Sequence, residues 1–429
     1  MDPILLSIIG IIIMFVLMFL RMPISFAMFI VGYIGLILAA SPRAANNVLS
    51  ADLWSQFTSY SLSVIPLFIL MGEVVYRTGI AEKLFYSAYT WVGHYRGGMA
   101  STTMLASAVF GSISGSNSAT AATIGTMALP ELEKYKYNKA LSTGSIATGG
   151  TLGVIIPPST VLIVLALQME QSVRDLFLTS IVPGIILTIL LILTIVFICW
   201  KDPTLGPAGE KTDMKERIRS LKGVVPIGIL FVFVIGGLFL GWFTPTESAA
   251  VGAFGAIILA LIMRKLTWEN LKESIASTLR SSIMVWMLIV GAMVFGRFLA
   301  ITRMPFDVAE WVSGLAVPAV VILLAILVIF IIGGALMDAM GFLTIALPIF
   351  YPTVLALGYD PVWFAIVLCV VTSLGAITPP VGVNVFVVQG LTPSTPITTV
   401  FRGTSYFLIP YFVFIGLLIL FPQIVTFIL

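Results

Sequence analysis

The stretch Thr151–Ser159 reads TLGVIIPPS, and it returns 222 residues later as SLGAITPPV at Ser373–Val381. The two copies are identical at five of nine positions, including both prolines. Each copy lies inside a long apolar run, yet two successive prolines remove two backbone donors and force the preceding residue out of the α region. Backbone groups freed in hydrocarbon are costly, so such a break is tolerated only inside protein or along a watery cavity. A matching break in each half of a membrane protein predicts a transport site.

The same offset extends well beyond the prolines. Four further pairs keep it: Pro23 and Pro245, Ala27 and Ala249, Gly111 and Gly333, and Ser116 and Asp338. Self-similarity over this length indicates an internal repeat. We therefore predict two halves, residues 1–200 and 224–429, joined by the polar cytoplasmic linker 201–223.

The composition is that of a membrane protein. Hydrophobic residues make up 59% of the 429 residues and charged residues 10%, against about 25% charged in soluble domains. The first apolar run, Ile4–Leu20, lacks a basic n-region and a small-residue cleavage site, which indicates a retained membrane helix and not a signal peptide. His94 is the only histidine, so histidine-based metal sites and catalytic triads are excluded. The fold class predicted is an all-α polytopic membrane protein.

Each half is predicted to contain membrane spans, one interfacial stretch, one re-entrant helical hairpin and one broken helix, joined by short loops. In the first half these are Ile4–Leu20, Ile24–Ala40, Leu62–Tyr76, the interfacial Ile80–Tyr95, the hairpin 98–131 with its tip at Ile113–Ser116, the broken helix 139–169 and Phe177–Trp200. In the second half they are Val224–Trp242, Glu247–Met263, Ser281–Leu299, the interfacial Met304–Gly314, the hairpin 317–357, the broken helix 361–391 and Thr404–Phe427. The helices of the first hairpin, about 15 residues each, are shorter than the roughly 20 needed to span a bilayer.

Five crossings per half is an odd number, so the second half is predicted to be inverted relative to the first. With the N-terminus outside, 18 of the 22 lysines and arginines lie in cytoplasmic segments, as the positive-inside rule requires. The first hairpin then opens to the cytoplasm and its twin opens outward. We expect a multi-pass protein of the bacterial inner membrane with both termini periplasmic.

Three motifs together resemble one family. The hairpin tip GSISGSNSAT (Gly111–Thr120), the break GGTLGVIIPPS ending at Ser159 and the later GAITPPVGVNVF beginning at Gly375 are similar to the large (M-type) membrane subunit of TRAP transporters, the tripartite ATP-independent periplasmic transporters. The similarity covers essentially the whole chain. Any one motif alone is weak, because glycine-rich apolar stretches and Pro-Pro pairs occur in many membrane proteins.

The resemblance implies a function and a set of partners. It implies a sodium-coupled secondary transporter that imports a small carboxylate solute by an elevator mechanism within the lipid bilayer. It also implies a separate small membrane subunit (Q-type) and a periplasmic solute-binding protein (P-type). Sodium enters as the coupling ion; no cofactor, no enzymatic activity and no nucleic-acid partner is expected.

Sodium prefers several hard oxygen ligands, and an unwound backbone supplies carbonyl oxygens without placing a fixed charge in the bilayer. We therefore predict one sodium site between each hairpin tip and the neighbouring break. The predicted residues are Ser112, Gly153, Ile156 and Pro158 in the first half and Gly334, Gly375, Thr378, Pro380 and Val381 in the second. The alternative is that the glycines permit close helix packing and the prolines only kink the helices.

Asp338, at the tip of the second hairpin, is the sharpest single candidate. It is the only charged residue between Glu310 and Asp360, and an intramembrane carboxylate is a functional hypothesis by default. It could ligate a cation, orient a polar group of the solute, or cap the following helix. The remaining polar candidates for solute contact are Ser114, Ser116, Asn117, Thr120 and Asn384.

Other polar residues are predicted to be structural. Thr244 and Glu247 have the spacing of a capping box with Pro245 at the first helical position. Glu73 and Arg77 lie four residues apart on a helix and are predicted to pair near the interface.

Two rival functions remain to be weighed. A self-sufficient sodium/carboxylate symporter would use the same hairpins without a binding protein. An intramembrane enzyme would need a titratable cluster, whereas the hairpins contain one lone carboxylate with no histidine near it. A primary pump is excluded because the sequence contains no P-loop.

Overall fold

A computed structural model describes residues 2–315 and 317–427 of the chain. Met1, Ala316 and the last two residues of the predicted second repeat, Ile428 and Leu429, lie outside the described residues. Within those two ranges every regular element is a helix.

The first ten α-helices belong to the predicted first half. They are α1 (Pro3–Phe19), α2 (Ile24–Ala39), α3 (Pro42–Phe57), α4 (Val64–Arg77), α5 (Ile80–Val92), α6 (Gly98–Ser114), α7 (Asn117–Lys134), α8 (Lys139–Ile155), α9 (Thr160–Gln168) and α10 (Val173–Lys201). A short 3₁₀ turn, Tyr60–Ser63, precedes α4, and the linker contains one helix, α11 (Met214–Leu221).

The remaining helices follow in the second half. They are α12 (Val225–Phe239), α13 (Pro245–Ile262), α14 (Trp268–Ile301), α15 (Met304–Ser313), α16 (Ala319–Leu336), α17 (Ala339–Ala356), α18 (Pro361–Gly375), α19 (Val383–Leu391), α20 (Ile397–Leu420) and α21 (Gln423–Thr426). Eight helices of the first half, all except α3 and α4, have a counterpart that begins within two residues of the 222-residue offset. In the second half α14 stands in the place of α3 and α4 together.

The helix starts have local causes in the sequence. Asn138 caps α8 by accepting a hydrogen bond from the Ala140 amide at 2.9 Å, and Asp360 caps α18 by accepting from the Trp363 amide at 2.8 Å. Such caps satisfy amides that have no partner within the helix. The predicted capping box is confirmed, because the Thr244 side chain accepts from the Glu247 amide and the Glu247 side chain accepts from the Thr244 amide.

The segment between α2 and α4 is helical, so the prediction of a short loop there is wrong. Ser41 accepts a hydrogen bond from the Ala44 amide at 3.2 Å and Pro42 occupies the first helical turn, both ordinary helix-start signals. The prediction failed because it followed hydrophobicity, and α3 is mostly polar with only Ala45 buried.

Two predicted lengths also need correction. The predicted span Ser281–Leu299 is part of the 34-residue helix α14, which begins earlier because Thr267 caps it through the Asn270 amide. The helices of the first hairpin have 17 and 18 residues instead of about 15. At about 1.5 Å per residue the longer one measures roughly 27 Å, so its length alone does not distinguish a re-entrant hairpin from two crossings.

The helices pack into two groups. The peripheral bundle contains α1, α2, α4, α12, α13 and α14, in which α14 lies along α2 and α4, and α13 lies along α4 and α12. The hairpin bundle contains α6 to α10 and α16 to α20, with α8 at its centre against α6, α7 and α20. A separate hydrophobic core joins α1, α2 and α14 and extends to Ile345 and Ile349 of α17.

Within residues 2–315 and 317–427, seven helices are long and apolar enough to cross a membrane, or nine if each of two bent pairs is one span. The helices α1, α2 and α18 are apolar but shorter. The chain is therefore a multi-pass helical membrane protein.

Candidate functional site

The first break separates α8 from α9, and the two helices are bent by 43° across it. Pro157 and Pro158 occupy the gap and are buried. Ser159 then starts α9 by accepting a hydrogen bond from the Leu162 amide at 3.3 Å. The helix therefore ends where the proline pair predicts and restarts on a serine cap.

The tip of the first hairpin lies directly against this break. A β-carbon on Gly153 would lie 2.7 Å from the carbonyl oxygen of Ser116, and one on Gly111 would lie 2.7 Å from the Cα of Gly153. Thr160 donates a hydrogen bond to the Gly115 carbonyl at 2.8 Å. Real β-carbons do not approach backbone so closely, so glycine is required for this backbone-to-backbone contact.

The second break repeats the arrangement. A β-carbon on Gly375 would lie 2.6 Å from the carbonyl carbon of Gly334. The amides of Val381 and Gly382 each donate to the Ala335 carbonyl at 3.1 Å. The second hairpin is thus joined to its break by the main chain alone.

The two breaks differ in their surroundings. Pro157 and Pro158 are buried, whereas Pro379 and Pro380 are exposed. Pro158 faces Met71 of α4 in the peripheral bundle across a small crevice. The two halves share a pattern of helices, but only the first break is enclosed.

The predicted sodium residues are brought together in their two groups, and their side-chain hydroxyls point into their own helices. Ser112 donates to the Val109 carbonyl at 2.7 Å, and Thr378 donates to the Leu374 carbonyl at 2.7 Å. A hydroxyl that donates in this way keeps its oxygen lone pairs available. The predicted backbone positions Gly153, Ile156 and Pro158 adjoin the first tip, and Gly334, Gly375, Thr378, Pro380 and Val381 surround the second contact.

The predicted solute residues separate into two sets. Ser114 and Ser116 line a cavity of about 300 Å³ between the two bundles. Asp338 is exposed at the second tip and caps α17 by accepting from the Met340 amide at 3.1 Å. Its predicted capping role is therefore present, and its second carboxylate oxygen is available for another contact.

The other predicted solute residues lie inside the hairpin bundle. Thr120 is fully buried and its hydroxyl lies 2.7 Å from that of Ser114. Asn384 is also fully buried, and its side-chain amide donates to the Ala147 carbonyl of α8 at 3.0 Å. Asn117 is buried at the start of α7. These three residues support the tips from behind and do not line the 300 Å³ cavity.

Sequence reasoning missed the opposite wall of this cavity. It is formed by Gly72, Glu73 and Tyr76 of α4 and by Ser281 and Met284 of α14. The signal was present, since Gly72 and Glu73 interrupt an apolar helix, but we assigned Glu73 only to an interfacial pair. The identity of its helical neighbours in space depends on packing and is not encoded locally.

The predicted pair is confirmed and is part of a larger cluster. Arg77 lies 3.7 Å from Glu73 and also pairs with Glu273 of α14. Glu73 accepts a further hydrogen bond from the Ser277 hydroxyl at 2.6 Å. Two carboxylates therefore share one guanidinium at the edge of the cavity, between α4 and α14.

Paired broken helices, each held against a hairpin in a polytopic helical membrane protein, define the chain as a membrane transporter by fold. The crystal structure of the Alcanivorax borkumensis YdaH transporter matches it with a TM-score of 0.61 over 88% of this chain and 89% of that one, at 16% identity. A likeness at this identity concerns the fold alone.

The family is shown by the sequence. The model of the tripartite ATP-independent periplasmic transporter, DctM component, matches residues 11–424, and the chain belongs to this family, as its motifs indicated. It is 32% identical to the C4-dicarboxylate TRAP transporter large permease protein DctM of Pseudomonas aeruginosa over 389 residues, which is 90% of each protein. It is 34% identical over 341 residues to the isethionate TRAP transporter permease protein DctMQ of Oleidesulfovibrio alaskensis, covering 79% of this chain and 53% of that one. The protein is a TRAP large permease.

Proposed function

We propose that this permease is the large subunit of a sodium-coupled TRAP transporter that imports a carboxylate-bearing solute by an elevator motion. The observation that supports this most is the contact of each hairpin tip with its own break through glycine backbone. Gly153 and Gly375 leave no room for a side chain, so carbonyl oxygens of a tip and a break lie side by side. Carbonyl clusters at unwound helices suit sodium, and two of them suit two coupling ions.

The two halves act, in this proposal, as inverted repeats, residues 1–200 and 224–429. The matching helix starts at an offset of 222 residues support it. The predicted orientation then places both termini in the periplasm of a bacterium and the linker in the cytoplasm.

The elevator motion is supported by the boundary between the bundles. The 300 Å³ cavity lies on the side of Glu73, and a second cavity of about 530 Å³ lies between α14 and α17 on the side of Asp52 and Arg297. Ser114 and Ser116 face the first cavity, where Asp338 of the second tip can join them if the bundles slide. Sliding of the hairpin bundle along α4 and α14 exchanges which cavity the tips face.

The partners follow from the family. Two relatives are named for different solutes, a C4-dicarboxylate and isethionate, and both solutes are small acids. We propose that a periplasmic binding protein selects the solute and that a separate small membrane subunit completes the transporter. The name DctMQ of the longer relative fits a fusion of the two membrane subunits.

The test is uptake by the reconstituted complex. The solute is chosen as the carboxylic or sulfonic acid that thermally stabilises the partner binding protein. Sodium entry releases about 2.3 kcal/mol per charge per 100 mV, so we expect uptake to rise sigmoidally with sodium and to persist without ATP. Undiminished uptake in sodium-free vesicles with a potassium-clamped potential contradicts the proposal. Uptake of free solute by the permease alone instead identifies a self-sufficient symporter.

A further inference from the structure

The linker helix α11 has an apolar stripe that the described chain leaves uncovered. Met214, Ile218 and Leu221 are 56%, 57% and 38% exposed. They are four and three residues apart, which places them on one side of the helix. Three large apolar side chains on one exposed stripe indicate a partner other than water.

The stripe continues onto a helix of the membrane domain. α12 begins at Val225, four residues after the end of α11, and the two helices are bent by 52°. Val225 and Ile229 of α12 are themselves 49% and 64% exposed. The apolar surface of α11 is therefore continuous with the surface that α12 presents to lipid.

A row of cations borders the stripe. At about 100° per residue, Lys222, Lys215 and Arg219 follow one another around α11 from the edge of the stripe. Lys83 of α5 joins them, with its aliphatic stem against Gly223. None of these four cations forms an ion pair with a carboxylate among the described residues.

The cations open into a cavity of about 820 Å³ between α5 and α11. Its charged lining consists of Lys83, Lys215 and Arg219 together with Glu82, Asp213 and Glu216. Glu216 already accepts a hydrogen bond from the Tyr86 hydroxyl at 2.5 Å. The cavity is large enough for a phospholipid headgroup, and its unpaired cations suit a phosphate.

The packing of α11 on α5 holds these groups in register. The hydroxyls of Ser220 and Thr90 lie 2.9 Å apart and both residues are buried. The Tyr86–Glu216 hydrogen bond joins the same two helices one turn away. Stripe and cation row therefore face their partner as one rigid surface.

We propose that α11 and this cavity bind an anionic phospholipid of the adjoining leaflet. The lipid phosphate contacts Lys83, Lys215 and Arg219, and its acyl chains lie along Met214, Ile218 and Val225. Basic residues beside an apolar helix face are the usual recognition elements for anionic lipid surfaces. A soluble phosphate would use the cations but leave the stripe in water, so the two features together favour a lipid. This inference does not depend on sodium coupling or on the solute.

The test uses a nitroxide label at Ile218→Cys in the full permease, reconstituted into nanodiscs of phosphatidylcholine with or without phosphatidylglycerol. The native Cys199 and Cys369 are buried and stay unlabelled. With phosphatidylglycerol we expect the label to be accessible to oxygen, which partitions into lipid, and shielded from a water-soluble nickel chelate. The double variant Lys215→Gln/Arg219→Gln should regain at least half of the nickel accessibility found without phosphatidylglycerol.

The control variant Lys265→Gln/Lys272→Gln removes two exposed cations from another part of the chain and should behave as the parent. A label that stays nickel-accessible in both lipids overturns the proposal, as does one shielded from both reagents, which indicates a covering protein. Insensitivity to Lys215→Gln/Arg219→Gln excludes the headgroup site. If inorganic phosphate in phosphatidylcholine discs has the same effect as phosphatidylglycerol, the ligand is a soluble anion and the lipid assignment is wrong.

Discussion

Gly72 of α4 and Ile113 at the tip of the first hairpin are in contact through backbone, because a β-carbon on Gly72 would lie 2.9 Å from the Ile113 carbonyl oxygen. This is a contact between the peripheral bundle and the hairpin bundle. A carbonyl oxygen cannot rotate away as a flexible side chain can. The position of the hairpin along α4 therefore depends on the missing side chain of Gly72.

The first prediction is that Gly72→Ala lowers uptake by tenfold or more, equivalent to about 1.4 kcal/mol per decade, without lowering the amount of permease in the membrane. The added methyl group displaces the hairpin tip from α4. The measurement is initial uptake normalised to inserted protein. Gly236→Ala is the matched control, since a β-carbon on Gly236 meets nothing within 4 Å; equal uptake by the two variants would contradict the prediction.

The second prediction concerns sodium. Gly375→Ala should shift the sodium dependence of uptake to higher concentrations, because its β-carbon would lie 2.6 Å from Gly334 and 2.9 Å from the Ala335 amide nitrogen, all backbone atoms. The second tip then separates from its break and the carbonyl cluster is disrupted. A sodium titration measures this shift, with Gly390→Ala as control because space is open around Gly390. A lower maximal rate with an unchanged sodium midpoint would argue against an ion site here.

The third prediction separates a folding effect from a transport effect. Gly403→Ala should reduce the amount of inserted permease, because its β-carbon would lie 1.9 Å from the Ala140 carbonyl oxygen, where α20 crosses α8. Overpacking of a core typically costs about 1–3 kcal/mol. Thermal stability of the purified variant in detergent is the measurement. A variant as stable as the parent would show that the two helices can separate without loss.

The fourth prediction concerns Asp338. Asp338→Asn keeps the shape and the cap on α17, since Asn caps nearly as well as Asp, but removes the charge. We expect uptake to fall by tenfold or more while membrane insertion stays normal. A shift of the sodium curve assigns Asp338 to the cation, and a change in solute KM alone assigns it to the solute. Unchanged curves would leave Asp338 as a cap only.

The fifth prediction is a pH dependence of linker docking. Burial lowers the pKa of His94 from its ordinary value of 6.5, and the charges of Arg217 and Lys211 lower it further; the Arg217 guanidinium lies 3.3 Å from the imidazole Nδ1. When the linker detaches, His94 regains its ordinary pKa, so the detached state binds protons more readily. Docking is therefore strongest above pH 6.5 and weakens as the pH falls below it.

Hydrogen exchange of residues 205–221 at pH values from about 7.5 to about 5.5 measures this dependence. Exchange should accelerate on acidification in the parent protein. The variant His94→Gln has no titrating group there and should lose most of the dependence. Equal acceleration in both proteins would assign the effect to another group.

How far the chain could be read without a fold depends on the range of the signal. The breaks at Pro157 and Pro379, the caps at Thr244 and Ser159, and the offset of 222 residues were all predictable, because prolines, caps and repeats act within a few residues or by direct comparison of sequence. Helix α3 was missed although its cap was visible, because a polar surface helix has little of the hydrophobic periodicity on which the prediction relied.

The composition of the cavity belongs to the other category. Ser116 lines the cavity and Thr120, four residues away, does not; Asn384 lies inside the hairpin bundle against Ala147. Gly72 and Glu73 form the facing wall although no motif marks them. Local chemistry specifies where a helix bends and restarts, and so the breaks and hairpins follow from sequence alone. Which side chains then meet across the cavity is set by the packing of helices more than a hundred residues apart, which only the folded chain contains.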